Sequence, residues 1–249
     1  MNTQAASFVS RLPRLLALTA GYIFLAACTT SAPSTTVVSS ITEIPHGDAL
    51  RSIVQLRVKT GEQLSGTQIE ERFEYGTGFF IDERGHILTC AHVIAMAEAP
   101  RSIQVLYQGR SFQPRVLRHD RKRDLALLFI DIEHSLPLPL ADTPVRLGEQ
   151  VYAVGFPYVR VFTDGLPTLT SGRIAGVERS IDWAGQPVDG LILTDAFVAT
   201  GSSGGPLLRE DGSVVGVLRF NLSRDDVWLG LSFAEPIASL GMLRGAPAP

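Results

Sequence analysis

The strongest constraint on the fold is a series of short segments rich in β-branched and aromatic residues, separated by glycine, proline and aspartate. The segments are Ile53–Val58, Tyr75–Asp82, His86–Thr89, Ile103–Tyr107, Gln113–Arg118, Leu125–Asp131, Val151–Gly155, Thr168–Ala175, Leu191–Asp195, Pro206–Leu208, Val214–Phe220 and Trp228–Ser232. Short strands with such punctuation are typical of a β-barrel or β-sandwich, because βαβ units would need helical stretches between strands. We therefore predict an all-β fold, with helix limited to a turn or two after His92 and to Ile237–Leu243.

The segment Thr200–Leu207 reads TGSSGGPL, in which three glycines and a proline surround two serines. Glycine permits backbone conformations with positive φ, in which neighbouring amide N–H groups can point at one position. A serine nucleophile needs such donors, since the tetrahedral intermediate of acyl transfer carries a negative charge. Ser203 is the predicted nucleophile, and the N–H groups of Gly201 and Ser203 are the predicted oxyanion donors. The alternative is a glycine turn between two strands, so the hypothesis requires a base and an acid elsewhere.

His92 and Asp124 are the predicted base and acid. His92 follows an apolar segment that ends in small residues, and histidine is the natural general base at neutral pH. A histidine after a strand is more often a surface residue, but the presence of Ser203 favours a catalytic role. Asp124 precedes the apolar strand Leu125–Phe129, where a carboxylate needs a partner such as an imidazole N–H. Asp120 is the competitor and ranks lower, because it precedes a charged cluster instead.

Residues 1–27 are typical of a secretion signal. Arg11 and Arg14 precede the apolar stretch Leu15–Phe24, which is too short to span a bilayer comfortably. The segment ends in Leu-Ala-Ala-Cys, which resembles the bacterial lipoprotein signal, so Cys28 is the predicted lipidation site and membrane anchor. The alternative is an ordinary secretory peptide cut nearby, or an uncleaved anchor. Each reading takes the rest of the chain out of the cytoplasm.

Residues 28–45 form a predicted disordered tether, since eight of the twelve residues from Thr29 to Ser40 are Ser or Thr. Residues 46–249 then form a single folded domain. Thr29, instead of Asp, after the lipidated cysteine favours the outer membrane if the cell is Gram-negative. The prediction is a protein on the periplasmic face of the cell envelope.

The charge of the chain bears on its partners, and the setting of Cys90 bears on the role of that thiol. The net charge is −3 and the longest basic block is Arg121–Arg123, so nucleic acid is not an expected partner. Cys90 lies in an apolar run and is predicted to be a small buried side chain, although a reactive thiol is the alternative.

With His92, Asp124 and Ser203 in this order, the chain resembles the trypsin-fold serine proteases, closest to the bacterial HtrA (high-temperature-requirement) group. The matching motifs are Gly76–Ile81, Leu88–Val93, Arg123–Leu128, Val154–Pro157, Thr170–Gly172 and Gly201–Leu207. The resemblance implies two six-stranded β-barrels and a short C-terminal helix. It places the site in the cleft between them, with His92 and Asp124 from the first barrel and Ser203 from the second.

The family mechanism implies that His92 takes the proton of Ser203, that Ser203 attacks a peptide carbonyl, and that Asp124 holds the imidazole tautomer. An acyl-enzyme forms and water resolves it, so no metal or organic cofactor is expected. HtrA proteases commonly carry a PDZ domain, but only sixteen residues follow Phe233, too few for one. Trimers are common in the family, which leaves a homo-oligomer open.

The resemblance also implies the substrate-binding residues. Phe197 falls at the base of the specificity pocket, with Val198, Ala199 and Thr200 after it, and the apolar pocket favours small or medium aliphatic side chains. Phe220 and Asn221 fall on the strand edge that pairs with the substrate backbone. The expected partners are therefore protein or peptide substrates.

Two positions depart from the family pattern. Ser202 stands where HtrA proteases usually carry Asn and digestive proteases carry Asp, so activation by insertion of a new N-terminus is not expected. Arg219 stands where a small hydroxyl residue is usual near the acid. Either the register slips by a residue, or Arg219 points away, or the acid is partly neutralised.

Three functions compete. The first is a lipid-anchored serine endopeptidase acting on envelope proteins, and the second is a trypsin-fold binding or chaperone-like protein with weak or no turnover. The third is an α/β-hydrolase esterase, because Gly201–Gly205 also satisfies G-x-S-x-G. That fold requires a histidine after the serine, and no histidine follows His134, so the esterase is excluded.

Overall fold

The structure is a computed structural model, which describes residues 47, 49–65, 68–183, 185–224 and 227–242. The predicted signal segment, the tether and Cys28 lie outside the described residues. Within the described part of the chain, thirteen strands form two antiparallel sheets.

The first sheet contains seven strands in the order β5-β4-β1-β2-β3-β7-β6. The strands are β1 (Ile53–Ser65), β2 (Gln68–Phe80), β3 (His86–Thr89), β4 (Ile103–Tyr107), β5 (Arg110–Phe112), β6 (Arg115–Asp120) and β7 (Leu125–Phe129). A short helix, α1 (Ala91–Ala95), follows β3, and 3-10 turns span Ala49–Ser52 and Pro100–Ser102. The helical turn predicted after His92 is therefore confirmed, and it begins one residue earlier, at Ala91.

The second sheet closes into a six-stranded barrel in the order β10-β13-β12-β11-β8-β9. The strands are β8 (Gln150–Gly155), β9 (Thr168–Trp183), β10 (Gln186–Thr194), β11 (Pro206–Arg209), β12 (Val214–Arg224) and β13 (Val227–Pro236). A 3-10 helix, Ile237–Met242, follows β13 in place of the predicted short C-terminal helix. The all-β double-barrel fold is confirmed, and the three-residue β5 is the strand that takes the first sheet beyond the predicted six.

A continuous apolar core joins the two sheets. Every residue of β7 is buried, so both faces of this strand are covered, whereas β4 alternates buried and half-buried positions, as expected for a strand with one wetter face. The core cluster contains Leu56, Phe79, Phe80, Ile87, Leu88 and Leu128 of the first sheet together with Val154, Leu208, Val214 and Val217 of the second. The strand ends that carry the predicted site residues are thus fixed on one packed body.

Two hairpins extend well beyond the predicted strands. The β1–β2 ladder continues to the pair Ser65 and Gln68, and the β9–β10 ladder to the pair Trp183 and Gln186. The outer halves of β1 and β2 are mostly exposed, so backbone hydrogen bonds hold them without an apolar pattern. No helix among the described residues combines the length and apolar character needed to cross a bilayer.

Candidate active site

Asp124 and His92 are brought together by the pairing of β3 with β7. Thr89 pairs with Ala126, so the residues just beyond β3 and just before β7 lie side by side. His92 Nδ1 donates to Asp124 Oδ2 at 2.7 Å, and the His92 backbone N–H donates to Asp124 Oδ1 at 2.8 Å. Asp124 adopts a φ of 55°, a conformation that Asp tolerates better than most residues. The structure thus pairs the predicted base with the predicted acid.

The electrostatics of Asp124 favour its ionised form. Burial opposes ionisation and raises the pKa, since only 6% of the residue is exposed. The hydrogen bonds and charge of His92 and the charge of Arg219 outweigh burial, and the pKa of Asp124 lies below its ordinary value. An ionised carboxylate accepts the Nδ1–H of His92 and leaves Nε2 available as a base.

Arg219 contacts the acid directly. The pairing of β12 with β13 shifts register between Leu218 and Phe220, and this β-bulge directs the side chain of Arg219 toward the first sheet. Its Nε donates to Asp124 Oδ2 at 3.2 Å and its Nη1 to Glu235 Oε2 at 3.3 Å. Of the three readings of Arg219 that the sequence left open, the geometry agrees with the one in which a guanidinium lies against the acid.

The Ser203 hydroxyl donates to the main-chain carbonyl of Arg219 at 2.8 Å. The carbonyl of Ser203 accepts from the N–H of Thr77 at 2.8 Å, which attaches the serine to the first sheet. Ser203 is therefore positioned by both sheets, with its hydroxyl directed at the residue that contacts Asp124. To act as the predicted nucleophile, the hydroxyl would have to exchange the Arg219 carbonyl for His92.

Two glycines shape the loop that carries Ser203. Gly201 has a φ of 99° and Gly204 a φ of 88°, values that favour glycine. A Cβ at Gly201 would collide with the carbonyl of Phe156, and one at Gly204 with the carbonyl of Thr77. The glycines in the predicted motif are thus required both by backbone conformation and by close approach of neighbouring chain.

The N–H groups of this loop fall into two sets. Those of Ser202, Gly204 and Gly205 donate to main-chain carbonyls. Those of Gly201 and Ser203, the predicted oxyanion donors, have no hydrogen-bond acceptor among the residues that the structure describes. Since buried N–H groups are nearly always paired, two open donors, one of them on Ser203 itself, suit an anionic ligand or intermediate.

Thr77 links the loop to both sheets, and the sequence reasoning assigned it no role. Its hydroxyl donates to the carbonyl of Gly201 at 2.7 Å and accepts from the N–H of Phe156 at 3.0 Å. Thr89 in turn donates to the carbonyl of Thr77 at 2.7 Å. The sequence signal for such a role is a threonine between two glycines, directly before the apolar residues Phe79–Ile81, because a buried hydroxyl must find partners.

The predicted pocket residues directly precede the loop of Ser203 in the chain. Val198 and Ala199 are buried, Phe197 is half-buried and Thr200 is exposed. The ring of Phe197 meets the edge of Trp228 with centroids 5.0 Å apart, and its carbonyl accepts from Thr170 Oγ1 at 2.7 Å. Trp228 was not among the predicted site residues, since it comes from β13, far along the chain.

Phe220 and Asn221 lie on β12, opposite Phe233 and Ser232 of β13. The side chain of Asn221 donates to the carbonyl of Val198 at 2.9 Å, which ties β12 to the pocket. The pairing of β11 with β12 ends at Val217.

The ligand atoms of Cys90, His92 and Asp124 lie within 4.8 Å of one another, which is close enough for a metal ion. Burial, followed by the charge of Asp124, raises the pKa of the Cys90 thiol, which donates to the carbonyl of Leu218 at 3.2 Å. The Nδ1 of His92 is already engaged by Asp124, and the Arg219 guanidinium adds positive charge. These contacts favour a hydrogen-bonded cluster over a cation site, and Cys90 has the predicted buried, structural position.

Two joined β-sheets that hold an Asp–His pair beside a glycine-flanked serine define the class of the trypsin-like serine peptidases. Comparison with known proteins agrees: the model of the trypsin-like peptidase domain matches residues 76–217. The chain belongs to the trypsin-like peptidase family, and its relatives are of the HtrA type.

Two relatives illustrate the match. A probable periplasmic serine endoprotease of the DegP-like type from Halomonas elongata is 36% identical over 68% of this chain and 34% of its own length. The Do-like serine protease HtrA of Bacillus subtilis is 34% identical over 76% of this chain and 43% of its own length. The chain thus spans about a third to two fifths of the length of these curated relatives.

Two solved structures share the fold. The Rv3671c protease from M. tuberculosis, in its active form, superposes with a TM-score of 0.67 at 26% identity, covering 84% of this chain and 87% of that one. The serine endoprotease from Yersinia pestis gives a TM-score of 0.59 at 28% identity, covering 78% of this chain and 61% of that one. The predicted HtrA-type resemblance is confirmed.

Proposed function

We propose that this protein is a serine endopeptidase of the cell envelope that uses His92, Asp124 and Ser203 as its triad. The observation that carries the proposal is the 2.7 Å bond from His92 to the buried Asp124. Arg219 contacts both Asp124 and Ser203, and the open N–H donors belong to Gly201 and to Ser203 itself. Membership of the trypsin-like peptidase family supports it, and the relatives are named as serine proteases.

In the proposed reaction, substrate binding turns the Ser203 hydroxyl from the Arg219 carbonyl to His92 Nε2. His92 accepts the hydroxyl proton as Ser203 Oγ bonds to the peptide carbonyl carbon, and the resulting oxyanion accepts from the N–H groups of Gly201 and Ser203. His92 passes its proton to the departing amine, which leaves an acyl-enzyme. Water then attacks the ester with His92 again as the base, and Ser203 regains its proton.

Substrate preference follows from the pocket walls. Phe197 and Trp228 contribute aromatic surface, and Val198 and Ala199 contribute small apolar side chains. An ammonium or guanidinium would find no carboxylate among these four residues, so its desolvation would go uncompensated. We therefore propose cleavage after small or medium aliphatic residues, with Thr200 at the rim and the part of β12 that contains Phe220 and Asn221 pairing with the substrate backbone.

The natural setting we propose is the periplasmic face of a membrane. A lipid on Cys28 would anchor the chain through the Ser/Thr/Pro-rich tether, with the outer membrane favoured in a Gram-negative cell. Several relatives are named as periplasmic endoproteases, which supports an envelope location. The substrates would then be envelope proteins, and assembly into a homo-oligomer belongs to the same proposal.

A second function is a trypsin-fold binding or chaperone-like protein with little turnover. The observation that favours it is the pair of contacts made by Arg219, whose side chain lies on Asp124 and whose carbonyl holds the Ser203 hydroxyl. A cation at the acid weakens its support for an imidazolium.

Labelling with a fluorophosphonate probe distinguishes the two. We expect labelling of the wild-type chain, loss of labelling in Ser203→Ala and His92→Ala, and wild-type labelling in Ser202→Ala, which removes the neighbouring hydroxyl. Thermal unfolding of each variant checks that it is folded. A folded wild type that labels no better than Ser203→Ala would reject the peptidase, and suppression of aggregation of a heat-unfolded protein would then test the second function.

A further inference from the structure

A row of alternating charges, buried at Asp124, Arg219 and Glu235, extends from the proposed triad. It runs from His92 through Asp124, Arg219 and Glu235 to Arg123. We propose that Glu235 is a positioning residue that neutralises Arg219 and so preserves the negative charge that Asp124 presents to His92. The inference rests on the proposed function, because it concerns how that same triad is regulated.

The contacts are direct at every step. Asp124 Oδ2 accepts from His92 Nδ1 at 2.7 Å and also from Arg219 Nε at 3.2 Å. Glu235 Oε2 accepts from Arg219 Nη1 at 3.3 Å, and Glu235 Oε1 accepts from Arg123 Nη1 at 3.3 Å. Asp124 Oδ2 therefore accepts hydrogen bonds from both the imidazole and the guanidinium. The guanidinium of Arg219 donates to both carboxylates.

Burial strengthens the electrostatic interactions among these charges. Arg219 is 4% exposed and Glu235 is 0% exposed, so water screens neither of them effectively. A buried guanidinium beside Asp124 without a second anion would cancel the carboxylate's charge and disfavour a protonated imidazole. The Arg219–Glu235 pair is neutral as a unit, and Asp124 then acts on His92 with its own charge.

The other titratable and charged groups around the pair do not replace Glu235. Cys90, at the start of α1, is a buried thiol whose pKa is raised, so it adds no charge. Arg123, the residue before Asp124, is partly exposed, and its guanidinium pairs with Glu235. Arg219 from β12 and Glu235 from β13 are thus the charges that tune Asp124 and His92.

The placement of Arg219 explains why one residue can couple the acid to the nucleophile. Its side chain contacts Asp124, while its carbonyl accepts from Ser203, and the β-bulge between Leu218 and Phe220 permits both. Substituting the side chain leaves the carbonyl in place. The charge effect can therefore be tested without removing the acceptor of the Ser203 hydroxyl.

The test uses three variants of the full chain, Glu235→Gln, Arg219→Met and the double variant. Two midpoints are measured, that of the pH dependence of fluorophosphonate labelling and that of the His92 imidazole titration followed by proton NMR. The NMR signal is assigned by its loss in His92→Ala. Arg121→Gln is the matched control, because it removes an exposed cation from the turn that precedes Asp124.

Glu235→Gln leaves Arg219 uncompensated, which disfavours the imidazolium. Both midpoints should fall by about one pH unit, and the maximal labelling rate should fall by about tenfold. Arg219→Met removes the cation and leaves the Glu235 carboxylate, which favours the imidazolium, so both midpoints should rise. In the double variant both midpoints should lie within about 0.3 unit of the wild-type values, because this variant removes a neutral pair. In Arg121→Gln they should stay within the same range, because the lost charge is exposed to water.

A purely structural Glu235 would lower stability and labelling with unchanged midpoints, and that result would overturn the inference. If Glu235→Gln does not fold, Arg219→Met and the double variant still decide, since their midpoints must differ. If Ser203→Ala labels as well as the wild type while the NMR midpoints shift as expected, the peptidase function is rejected and the charge coupling is retained. If labelling requires Ser203 and His92 but the midpoints do not differ among the charge variants, the peptidase function is retained and the charge coupling is rejected.

Discussion

The hydroxyl of Ser203 donates a 2.8 Å hydrogen bond to the main-chain carbonyl of Arg219, while the side chain of Arg219 donates to Asp124. The proposed nucleophile and the proposed acid are therefore both contacted by one residue, which lies on a β-bulge. A serine held by a carbonyl keeps its proton, so the resting hydroxyl is not activated in this arrangement. Turning toward His92 is the event that would prepare it for attack.

Asp124→Asn should reduce the rate of fluorophosphonate labelling by about 10³ to 10⁴-fold. An amide NH₂ facing His92 Nδ1 would favour the tautomer that carries its proton on Nε2, and such an imidazole cannot accept the proton of Ser203. The control is Asp120→Asn, the carboxylate that the sequence ranked second, whose Oδ1 accepts from the N–H groups of Lys122 and Arg123. Equal losses in the two variants would contradict the assignment of the acid.

The same substitution should reveal how stability depends on pH. Burial raises the pKa of Asp124, but the hydrogen bonds and charge of His92 and the charge of Arg219 hold it below 3.8. A group with a lowered folded-state pKa stabilises the fold above its unfolded pKa and loses that contribution as pH falls through the folded pKa. Asp124→Asn should therefore lower the free energy of unfolding by about 2 kcal/mol at pH 7.

The difference between wild type and Asp124→Asn should then shrink as the pH falls below about 4. Urea unfolding at pH 7, 5 and 3 measures it directly. A difference that stays constant across this range would show that the ionised carboxylate does not stabilise the fold.

Gly204→Ala should be far more damaging than Gly148→Ala. Both glycines have a φ between 80° and 88°, so alanine strains either backbone by about 1 to 2 kcal/mol. Only at Gly204 would the new Cβ also collide with the Thr77 carbonyl and the Thr89 hydroxyl, whereas Gly148 has open space. Urea unfolding should show a loss above about 3 kcal/mol for Gly204→Ala, with labelling abolished. Similar losses for both would mean that the contact is relieved elsewhere.

Much of this molecule was predictable because its chemistry is local in sequence. The punctuated β segments predicted the all-β fold, and the glycines of Gly201–Gly205 predicted the tight loop that the positive φ values show. Asp124 was predicted from one argument, that a carboxylate beside the buried strand Leu125–Phe129 needs a partner. The contact with His92 satisfies that requirement.

The remainder depends on contacts that sequence spacing does not encode. The direction of Arg219 is set by a β-bulge, which follows from the pairing of β12 with β13. The outer parts of the β1–β2 hairpin are exposed on both strands, so no apolar alternation marked their extent. Trp228 reaches Phe197 because β13 pairs with β10 in the closed barrel, and Glu235 meets Arg219 through the bulged pairing of β12 with β13.

Thr77→Val should uncouple the loop from the sheets. Valine keeps the shape but removes the hydroxyl that donates to Gly201 and accepts from Phe156, leaving a carbonyl and an N–H buried without partners. We expect a loss of about 2 to 4 kcal/mol in the free energy of unfolding. Labelling should fall at least about tenfold, because Gly201 is one of the two proposed oxyanion donors. Thr77→Ser keeps the hydroxyl and should retain most of the labelling.

Trp228→Ala should change which substrates the proposed enzyme prefers. Trp228 packs edge-on against Phe197, and its Nε1 donates to the carbonyl of Leu231 at 3.1 Å, so the indole is held in one position. Removing it enlarges the apolar pocket next to Phe197. We expect the ratio of kcat/KM for a peptide cleaved after Phe to one cleaved after Ala to rise by about tenfold or more. Leu229→Ala, an exposed residue of the same strand, is the control, since its side chain faces solvent. An unchanged ratio in Trp228→Ala would place the specificity pocket elsewhere, because a wall of the pocket cannot be removed without altering which side chain fits best.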